Sequence, residues 1–442
     1  MNRHFTGVLS FSVVVTFFQR NIMRTAINPV IIGFLLNSVV WSQAHVVVPY
    51  GPLSLGSAIQ IALENNPAIK ASSEKIRGSK ARFWSEISPA PAEFSMTNDY
   101  VPVGTALNNY GEKTVGISQS IDFPTNYLLR GSKSSIERKI IQKEFMLTKL
   151  GVISKVKKAY YQVVALQEQV GIAEENRAIA LDFAKKAAVR YSVGEGTNLE
   201  KLTAKVNQTE ALNNVEIRKN HLTIAMAELN LAMGYGKDGS GSYSLSDTLA
   251  CVPLPLTLDQ LVDEAMSVNP LLEANKLRVD AYSADKSLAW SGILPGFNLG
   301  CFSKEVRGDA TKYYGASLSI GIPLWFMLDQ RGKITEASAN LSTAKADLRT
   351  VNNEVYAKTQ DAFAEFKHAE KQVQLYVNDI LPQAEEVFRT ASKSYEAGEI
   401  TYIEFLQAQQ TLINSRGGYV DALLSYNLSL VTIEEAIGKT LQ

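Results

Sequence analysis

The chain has 442 residues, 46% of them apolar, so it is long enough for two or three ordinary domains or for one large elongated structure. Its 44 basic and 44 acidic residues cancel, and no basic stretch is interleaved with aromatic residues, which argues against nucleic-acid binding. Cys251 and Cys301 have no CxxC-type spacing, so we expect isolated thiols and no metal site.

The N-terminal segment has the form of an export signal. A basic residue follows Met23, an apolar run extends from Val30 to Trp41, and Ser42-Gln43-Ala44 places small residues where a signal peptidase cuts. We therefore expect residues 1–44 to be a signal peptide, with Met23 as an alternative start. A membrane-anchoring helix is the other interpretation, but the run is short for a span. No later stretch approaches about 18 apolar residues, so any membrane segment of the mature chain must consist of strands.

The rest of the chain repeats itself in the same order about 200 residues later, which indicates an internal duplication. We assign a first repeat to 45–235, a connector to 236–256 and a second repeat to 257–442. The matching segments are SLGSAIQIALENNP (54–67) with TLDQLVDEAMSVNP (257–270), SQSIDFP (118–124) with SLSIGIP (317–323), and RYSVGEGTNLEKL (190–202) with SYEAGEITYIEFL (394–406).

Each repeat is predicted to open with a helix. Ser54 and Thr257 are suitable N-caps, and apolar residues follow each of them at helical spacing. The Asn-Pro pairs that follow predict a break or kink in the helix, because proline cannot continue the hydrogen-bond pattern.

Two alternating segments per repeat come next, with apolar residues on one face and small polar residues on the other. At about 9 to 11 residues each, they are long enough to cross a bilayer as tilted strands. The four segments are 92–102, 112–123, 296–306 and 312–323. The residues that we expect to face lipid are Val115, Ile117, Leu318, Ile320 and Ile322.

Four strands cannot close a barrel around a lumen, and an open sheet edge in lipid would leave backbone groups unpaired. The strands therefore require partners from other chains. The alternative is a soluble four-stranded sheet, which would need helices packed on its apolar face.

Very long helices are predicted after each strand pair. Ser132 to Tyr191 contains no proline, and in Lys333 to Tyr395 only Pro382 interrupts the helical pattern. Sixty helical residues extend about 90 Å. The fold class that follows is mainly α, a rod of antiparallel coiled-coil helices with strands at one end.

The repeated thirteen-residue stretch lies where one long helix ends and the next begins. Gly194 and Gly398 suit the left-handed conformation that closes a helix. The T-x-x-E patterns that follow, Thr197 with Glu200 and Thr401 with Glu404, predict capping boxes. Each stretch is therefore the tip of a helical hairpin, at the end of the rod far from the strands.

Taken together, these features resemble the TolC family of outer-membrane efflux proteins. The resemblance rests on the duplicated halves, on strand pairs closing at Asp122-Phe123-Pro124 and Gly321-Ile322-Pro323, and on twin Tyr-x-x-Gly-x-x-Thr tips. It implies a homotrimer whose strands form one twelve-stranded outer-membrane β-barrel and whose helices form a periplasmic tunnel.

The resemblance also implies the partners of a tripartite pump. These are a periplasmic adaptor that grips the tips and an inner-membrane transporter, which we expect to be of the resistance-nodulation-division type. The tip residues expected to contact the adaptor are Val193, Gly194, Thr197, Ala397, Gly398 and Thr401.

We expect no enzyme, cofactor or metal site, because the sequence has no catalytic pattern and no phosphate loop. Glu404 has two compatible roles, as a capping residue and as part of an acidic ring of three copies around a narrow tunnel mouth. The alternatives to an efflux duct are the outer-membrane conduit of a type I protein secretion system and a soluble coiled-coil scaffold.

Overall fold

The structure is a computed structural model that describes residues 51–235, 243–322 and 328–441. The expected signal peptide (1–44), the start of the connector (236–242) and Pro323 lie outside these residues. Within them the chain is mainly helical, with one four-stranded sheet and one short strand pair.

The first repeat has the predicted order of helix, strand pair and long helical hairpin. Its elements are β1 (Gly51–Leu53), α1 (Leu55–Asn65), α2 (Pro67–Ile87), β2 (Glu93–Asp99), β3 (Glu112–Ile121), α3 (Pro124–Ser192) and α4 (Asn198–Met233).

The second repeat has the same order. After β4 (Tyr243–Leu245) in the connector, its elements are α5 (Leu258–Val268), α6 (Pro270–Ser291), β5 (Gly296–Val306), β6 (Lys312–Gly321), α7 (Asp329–Leu375), a π-helical turn (Tyr376–Ile380), α8 (Leu381–Glu396) and α9 (Tyr402–Ile437).

The predicted N-caps and Asn-Pro breaks are confirmed. The Ser54 hydroxyl accepts a hydrogen bond from the Ser57 amide, and Thr257 forms a complete capping box with Gln260. At each break one asparagine, Asn66 or Asn269, ends a helix and caps the next one, whose first residue is proline. Proline is tolerated there because the first amide of a helix has no intrahelical partner.

The same asparagines contact matching segments near the ends of the two repeats, Ala232-Met233-Gly234 and Ala436-Ile437-Gly438. Asn66 donates its side-chain amide to the Ala232 carbonyl at 3.1 Å, and Asn269 donates to the Ala436 carbonyl at 2.9 Å. Gly234, at φ +89°, lies so close to the asparagine backbone that an added Cβ would meet the Asn66 Cα at 2.8 Å. The break therefore ties the start of each repeat to its last helix.

The long helices are also confirmed. Helix α3 has 69 residues, about 100 Å at 1.5 Å per residue. The helix predicted from Lys333 continues to Glu396 with a single π-helical turn directly before Leu381-Pro382. Proline leaves the preceding turn without one hydrogen bond, and a single π turn is a local accommodation of that loss.

The four-stranded sheet has the order β2-β3-β5-β6, and all neighbouring strands are antiparallel. The central pair, β3 with β5, joins the two repeats. Strand β2 ends at Asp99, three residues before the predicted end, because Tyr100 adopts φ +53° and turns the chain out of the sheet. Ile322 likewise lies one residue beyond the end of β6.

A short parallel pair, β1 with β4, was not predicted; it binds the connector to the start of the first repeat. Three buried clusters hold the helices together, one within each repeat and one near the hairpin tips. The third cluster contains residues from both hairpins.

Candidate functional site: the hairpin tips and the four-stranded sheet

Both long hairpins turn through the same backbone motif. Gly194 and Gly398 have φ of +82° and +77°. The amide of the residue after each glycine bonds back to the helix, Glu195 to the Arg190 carbonyl at 2.9 Å and Glu399 to the Ser394 carbonyl at 2.8 Å. This six-to-one bond, together with the bond from the glycine amide, is the Schellman motif. The prediction of left-handed glycines at both tips is confirmed.

The helix after the second tip begins with a complete capping box. The Thr401 amide donates to a Glu404 carboxylate oxygen at 2.7 Å, and the Glu404 amide donates to the Thr401 hydroxyl at 3.3 Å. The bonds from the Thr401 amide and then its hydroxyl lower the pKa of Glu404, because they favour the ionised carboxylate. The Glu404 side chain is exposed and charged at neutral pH.

The first tip does not have the complete box that the sequence predicts. Thr197 accepts from the Glu200 amide at 3.1 Å, but the Glu200 carboxylate bonds elsewhere. It accepts a hydrogen bond from the Tyr395 hydroxyl and lies 3.6 Å from the Arg190 guanidinium. The prediction of a capping role for the Glu200 side chain was therefore wrong, because a partner on the other hairpin holds the carboxylate.

We call Arg190, Glu200 and Tyr395 the tip triad. Arg190 lies in the last turn of α3, Glu200 in the first turn of α4, and Tyr395 in the last turn of α8 on the second hairpin. The Arg190 guanidinium also lies over the Tyr395 ring, 5.5 Å from its centroid. Burial, and then the hydrogen bond to Glu200, raises the pKa of Tyr395 to about 12, so the hydroxyl stays protonated and donates. The triad is thus a polar connection between the two hairpins.

An aromatic cluster lies beside the triad. The Phe183 and Phe405 rings stack with centroids 3.9 Å apart, and Tyr395 and Tyr402 pack around them. Phe405 is fully buried although it lies one residue after Glu404. The apolar residues of the tip stretches therefore hold the hairpins to each other, in addition to shaping their turns.

A cleft of about 220 Å³ opens between the two tips. The tip triad forms part of its wall, together with Leu199 and Ile403, whose side chains are 68% and 64% exposed. Of the residues expected to contact an adaptor, Thr197 and Thr401 line the cleft, whereas Val193, Gly194, Ala397 and Gly398 form the outer turns. The sequence does not indicate the cleft, because it forms only where the tips of the two repeats meet.

At the other end of the chain the sheet has two unlike faces. Residues paired across antiparallel strands point to the same side. The register therefore places Val115, Ile117, Leu318 and Ile320 on one face, together with Phe94, Met96, Phe297 and Leu299. Ile322, just past β6, continues the alternation and is 68% exposed.

The opposite face consists mostly of glycine, serine and other polar residues, with Phe302 as its large apolar side chain. Phe302 is directly paired with Gly116 and Gly315. Its ring covers Gly315 so closely that an added Cβ there would meet the ring at 2.3 Å. No described helix packs extensively on either face of the sheet.

Midway along the rod, a buried ion pair joins the repeats. Lys157 on α3 donates to both oxygens of Glu434 on α9, at 2.8 and 2.7 Å, and both side chains are about nine-tenths buried. Glu435 beside it accepts from Ser154 and Lys158. Neither pair was predicted, since nothing local in the sequence identifies the partner.

Two kinds of feature are absent from the described ranges, metal-ligating clusters and membrane-spanning helices. No group of three His, Cys, Asp or Glu side chains there could hold a metal ion. In the same ranges, no helix is both long enough and apolar enough to cross a membrane.

Comparison with known proteins agrees with this geometry. The family model described as outer membrane efflux protein matches residues 261–439. The cobalt-zinc-cadmium resistance protein CzcC of Cupriavidus metallidurans is 21% identical over 394 residues, covering 88% of this chain and 91% of CzcC. The outer membrane protein TolC of Vibrio cholerae is 22% identical over 439 residues, covering 91% and 92%.

The solved structures show the same fold. The outer membrane protein VceC of Vibrio cholerae superposes with a TM-score of 0.73 at 16% identity, covering 88% of this chain and 97% of VceC. The family match lies in the second repeat, and the relatives extend it over both repeats. The second repeat thus matches the outer membrane efflux protein family, and the whole described chain is similar to outer-membrane proteins such as TolC.

Proposed function

We propose that this chain is the outer-membrane exit duct of a tripartite efflux system, conducting small solutes passively from the periplasm to the outside. The observation that carries the proposal is the uncovered sheet, with a largely apolar face opposite a face of mostly small polar residues. A soluble sheet would bury the apolar face under helices, and no described helix packs extensively there. The arrangement fits lipid on one side and water on the other.

Closure of the sheet supports a homotrimer. The outer edges of β2 and β6 have no paired strand among the described residues. Because the four strands alternate in direction, β6 of one copy would run antiparallel to β2 of the next. Three copies give twelve strands and leave no edge unpaired in lipid.

The opposite end of the molecule supports docking of a periplasmic adaptor. The two tips present exposed turns at Val193-Gly194 and Ala397-Gly398, and the cleft between them carries exposed Leu199 and Ile403. Exposed apolar residues around a cleft are typical of a protein-binding surface. An inner-membrane transporter of the resistance-nodulation-division type would supply the energy.

A tunnel mouth lined by Glu404 is the third part of the proposal. The capping hydrogen bonds leave the carboxylate ionised and exposed at the start of α9. Three copies around the trimer axis would form an acidic ring that attracts cations and repels anions.

The proposal is tested with the full-length protein in outer-membrane fractions and in planar bilayers. We expect trimers that dissociate only on heating, and stepwise conductance from the purified trimers. Deletion of the gene should increase sensitivity to small toxic solutes, tested first with cobalt, zinc and cadmium because of the name of CzcC. A soluble monomer without conductance would contradict the duct, and loss of a secreted polypeptide without added sensitivity would favour the secretion conduit.

A further inference from the structure

A row of charged residues crosses the sheet at the end far from the helices. Lys113 on β3 is paired in register with Glu305 on β5, and Glu305 is paired with Lys312 on β6. Every second residue along a strand lies on the same face, so this row lies on the face of Val115 and Leu318. It lies at the rim of the apolar face, next to the β2–β3 and β5–β6 loops.

The row carries one positive charge in excess. Lys312 donates to Glu305 at 2.8 Å, and Lys113 is the register neighbour of the same carboxylate on its other side. The backbones of Lys113 and Lys312 are two strand spacings apart, which is about 10 Å. Side chains from both can reach one group placed over Glu305.

The long β2–β3 loop (residues 100–111) adds apolar and aromatic groups on the same side. Asn98, which shares the face of Lys113, donates its side-chain amide to the Leu107 carbonyl at 3.1 Å. The Leu107 side chain is 76% exposed, and the Tyr110 ring centroid lies 6.0 Å from the Lys113 ammonium. Tyr314, two residues after Lys312, is 80% exposed on this face.

Two hydrogen bonds fix the loop in this position. The Arg307 amide donates to the Gly111 carbonyl at 2.8 Å, and the Arg307 guanidinium donates to the Asn109 side chain. The arrangement is therefore a built rim in which the apolar rows of the sheet meet the exposed Tyr314 and then the paired lysines. This order of groups matches the order from acyl chain to headgroup at a membrane surface.

We propose that Lys113 and Lys312 bind the phosphate of a phosphorylated lipid in the outer leaflet, whose acyl chains lie along the apolar face. The site rests on the proposed function, since it requires that face to be in lipid. Glu305 holds the lysines in position and competes with the phosphate for them. Each lysine close to an anionic lipid surface strengthens binding by about fivefold.

The test is native mass spectrometry of the detergent-solubilised trimer, titrated with dioleoyl phosphatidic acid and, separately, with dioleoyl phosphatidylcholine. We expect the wild type to retain the phosphatidic acid preferentially, and added salt to weaken its retention. The double variant Lys113→Gln/Lys312→Gln should bind phosphatidic acid at least tenfold more weakly. Glu305→Gln should bind it several-fold more tightly, because both lysines are then available to the phosphate.

The matched control is Lys304→Gln. Lys304 is next to Glu305 on the same strand but on the opposite face, where it pairs with Glu112. Its substitution should leave lipid retention unchanged. Equal loss in this control, wild-type retention by the double variant, or no gain in Glu305→Gln would overturn the proposal. If the double variant does not assemble, lipid retention by Glu305→Gln still tests whether the two lysines bind the phosphate.

Conductance separates this inference from the proposed function. All four proteins should form channels of the same conductance in planar bilayers if they are ducts. Conductance with no lysine-dependent lipid retention would refute only the lipid site. Absence of conductance from the wild type would instead refute the duct.

Discussion

At the scale of single residues, the two glutamates of the repeated tip stretch show what a sequence pattern can and cannot predict. The T-x-x-E pattern correctly predicts the box of Thr401 and Glu404. It fails for Glu200, because Tyr395, 195 positions away, takes the carboxylate. Capping is a local interaction and can be read from spacing, whereas a contact between hairpins depends on how the helices pack.

The proposed position of Glu404 at the tunnel mouth predicts a loss of selectivity without a loss of assembly. Glu404→Gln keeps the size of the side chain and much of its capping, and it removes the charge. In planar bilayers we expect the variant to lose cation preference and sensitivity to divalent ions, while the trimer retains its thermal stability. If Glu404→Gln has unchanged selectivity but lower thermal stability, Glu404 acts only as a capping residue.

The direction of the Glu404 pKa shift sets the pH dependence. A carboxyl whose folded pKa is below its unfolded value of 4.5 stabilises the fold above that pH, and the stabilisation is lost as the pH falls through the folded pKa. Cation preference of the wild-type channel should therefore be present at neutral pH and be lost on acidification, as the Glu404 carboxylates become protonated. The cation preference is measured as the reversal potential of the channel current across a salt gradient.

The tip triad predicts that the hairpins separate more easily when one bond is removed. Tyr395→Phe deletes the hydroxyl that binds Glu200 but keeps the ring in the aromatic cluster. We expect longer open times in planar bilayers, since the two hairpins lose a charge-assisted hydrogen bond. Tyr191→Phe is the matched control, because Tyr191 is the equivalent residue of the first tip and its ring instead contacts Lys201 at 4.7 Å. Equal open times in both variants and the wild type would exclude the triad from gating.

The buried pair of Lys157 and Glu434 predicts a large stability change. Lys157→Met leaves the Glu434 carboxylate buried without its cation, which should cost about 3 to 5 kcal/mol. Lys157→Met/Glu434→Leu removes both charges and should recover most of that loss. Thermal denaturation of the purified trimers provides the measurement, and a double variant as unstable as the single one would contradict the explanation.

At the scale of elements, the helices could be predicted more completely than the strands. The caps, the Asn-Pro breaks and the lengths of the long helices follow from local residues, and the structure has them where the sequence places them. Strand β2 ends early because Tyr100 takes a positive φ, which nothing in the alternating pattern indicates. The pairing of β1 with β4 connects residues about 190 positions apart and has no local signal.

The turn at the second tip predicts a defect confined to adaptor docking. Gly398 has φ +77° and open space around an added Cβ, so substitution meets backbone strain but no clash. Gly398→Val should weaken adaptor crosslinking and efflux while trimers still form, because β-branched residues disfavour this conformation. Gly398→Asn should retain most function, since asparagine tolerates positive φ. Full efflux and undiminished crosslinking of Gly398→Val would remove this turn from the docking surface.

At the scale of the whole molecule, the two repeats have the same order of elements. The contacts between the repeats are the part of the structure that the sequence does not predict. Each repeat supplies two strands and one hairpin, and both could be predicted from periodicity. Three features connect one repeat to the other: the pairing of β3 with β5, the tip triad, and the ion pair of Lys157 and Glu434. Such contacts depend on how two folded units dock, so no pattern within either unit specifies them.

Membrane assembly provides a prediction at this scale. Ile320→Arg places a charge on the apolar face and should cost about 2 to 4 kcal/mol near the middle of the bilayer. Ser319→Arg, one residue earlier on β6, places the same charge on the small polar face and should be tolerated. The abundance of each variant in outer-membrane fractions provides the comparison, and equal abundance would argue against the assigned faces.

In an efflux duct, one face of the sheet meets lipid and the other meets the water of an open channel. Single cysteines at 317, 318, 319 and 320, in a chain with Cys251 and Cys301 replaced by serine, test it directly in planar bilayers. A membrane-impermeant thiol reagent should reduce the current through the 317 and 319 variants and leave the 318 and 320 variants unchanged. Equal reaction at all four positions, or no current to reduce, would contradict the account.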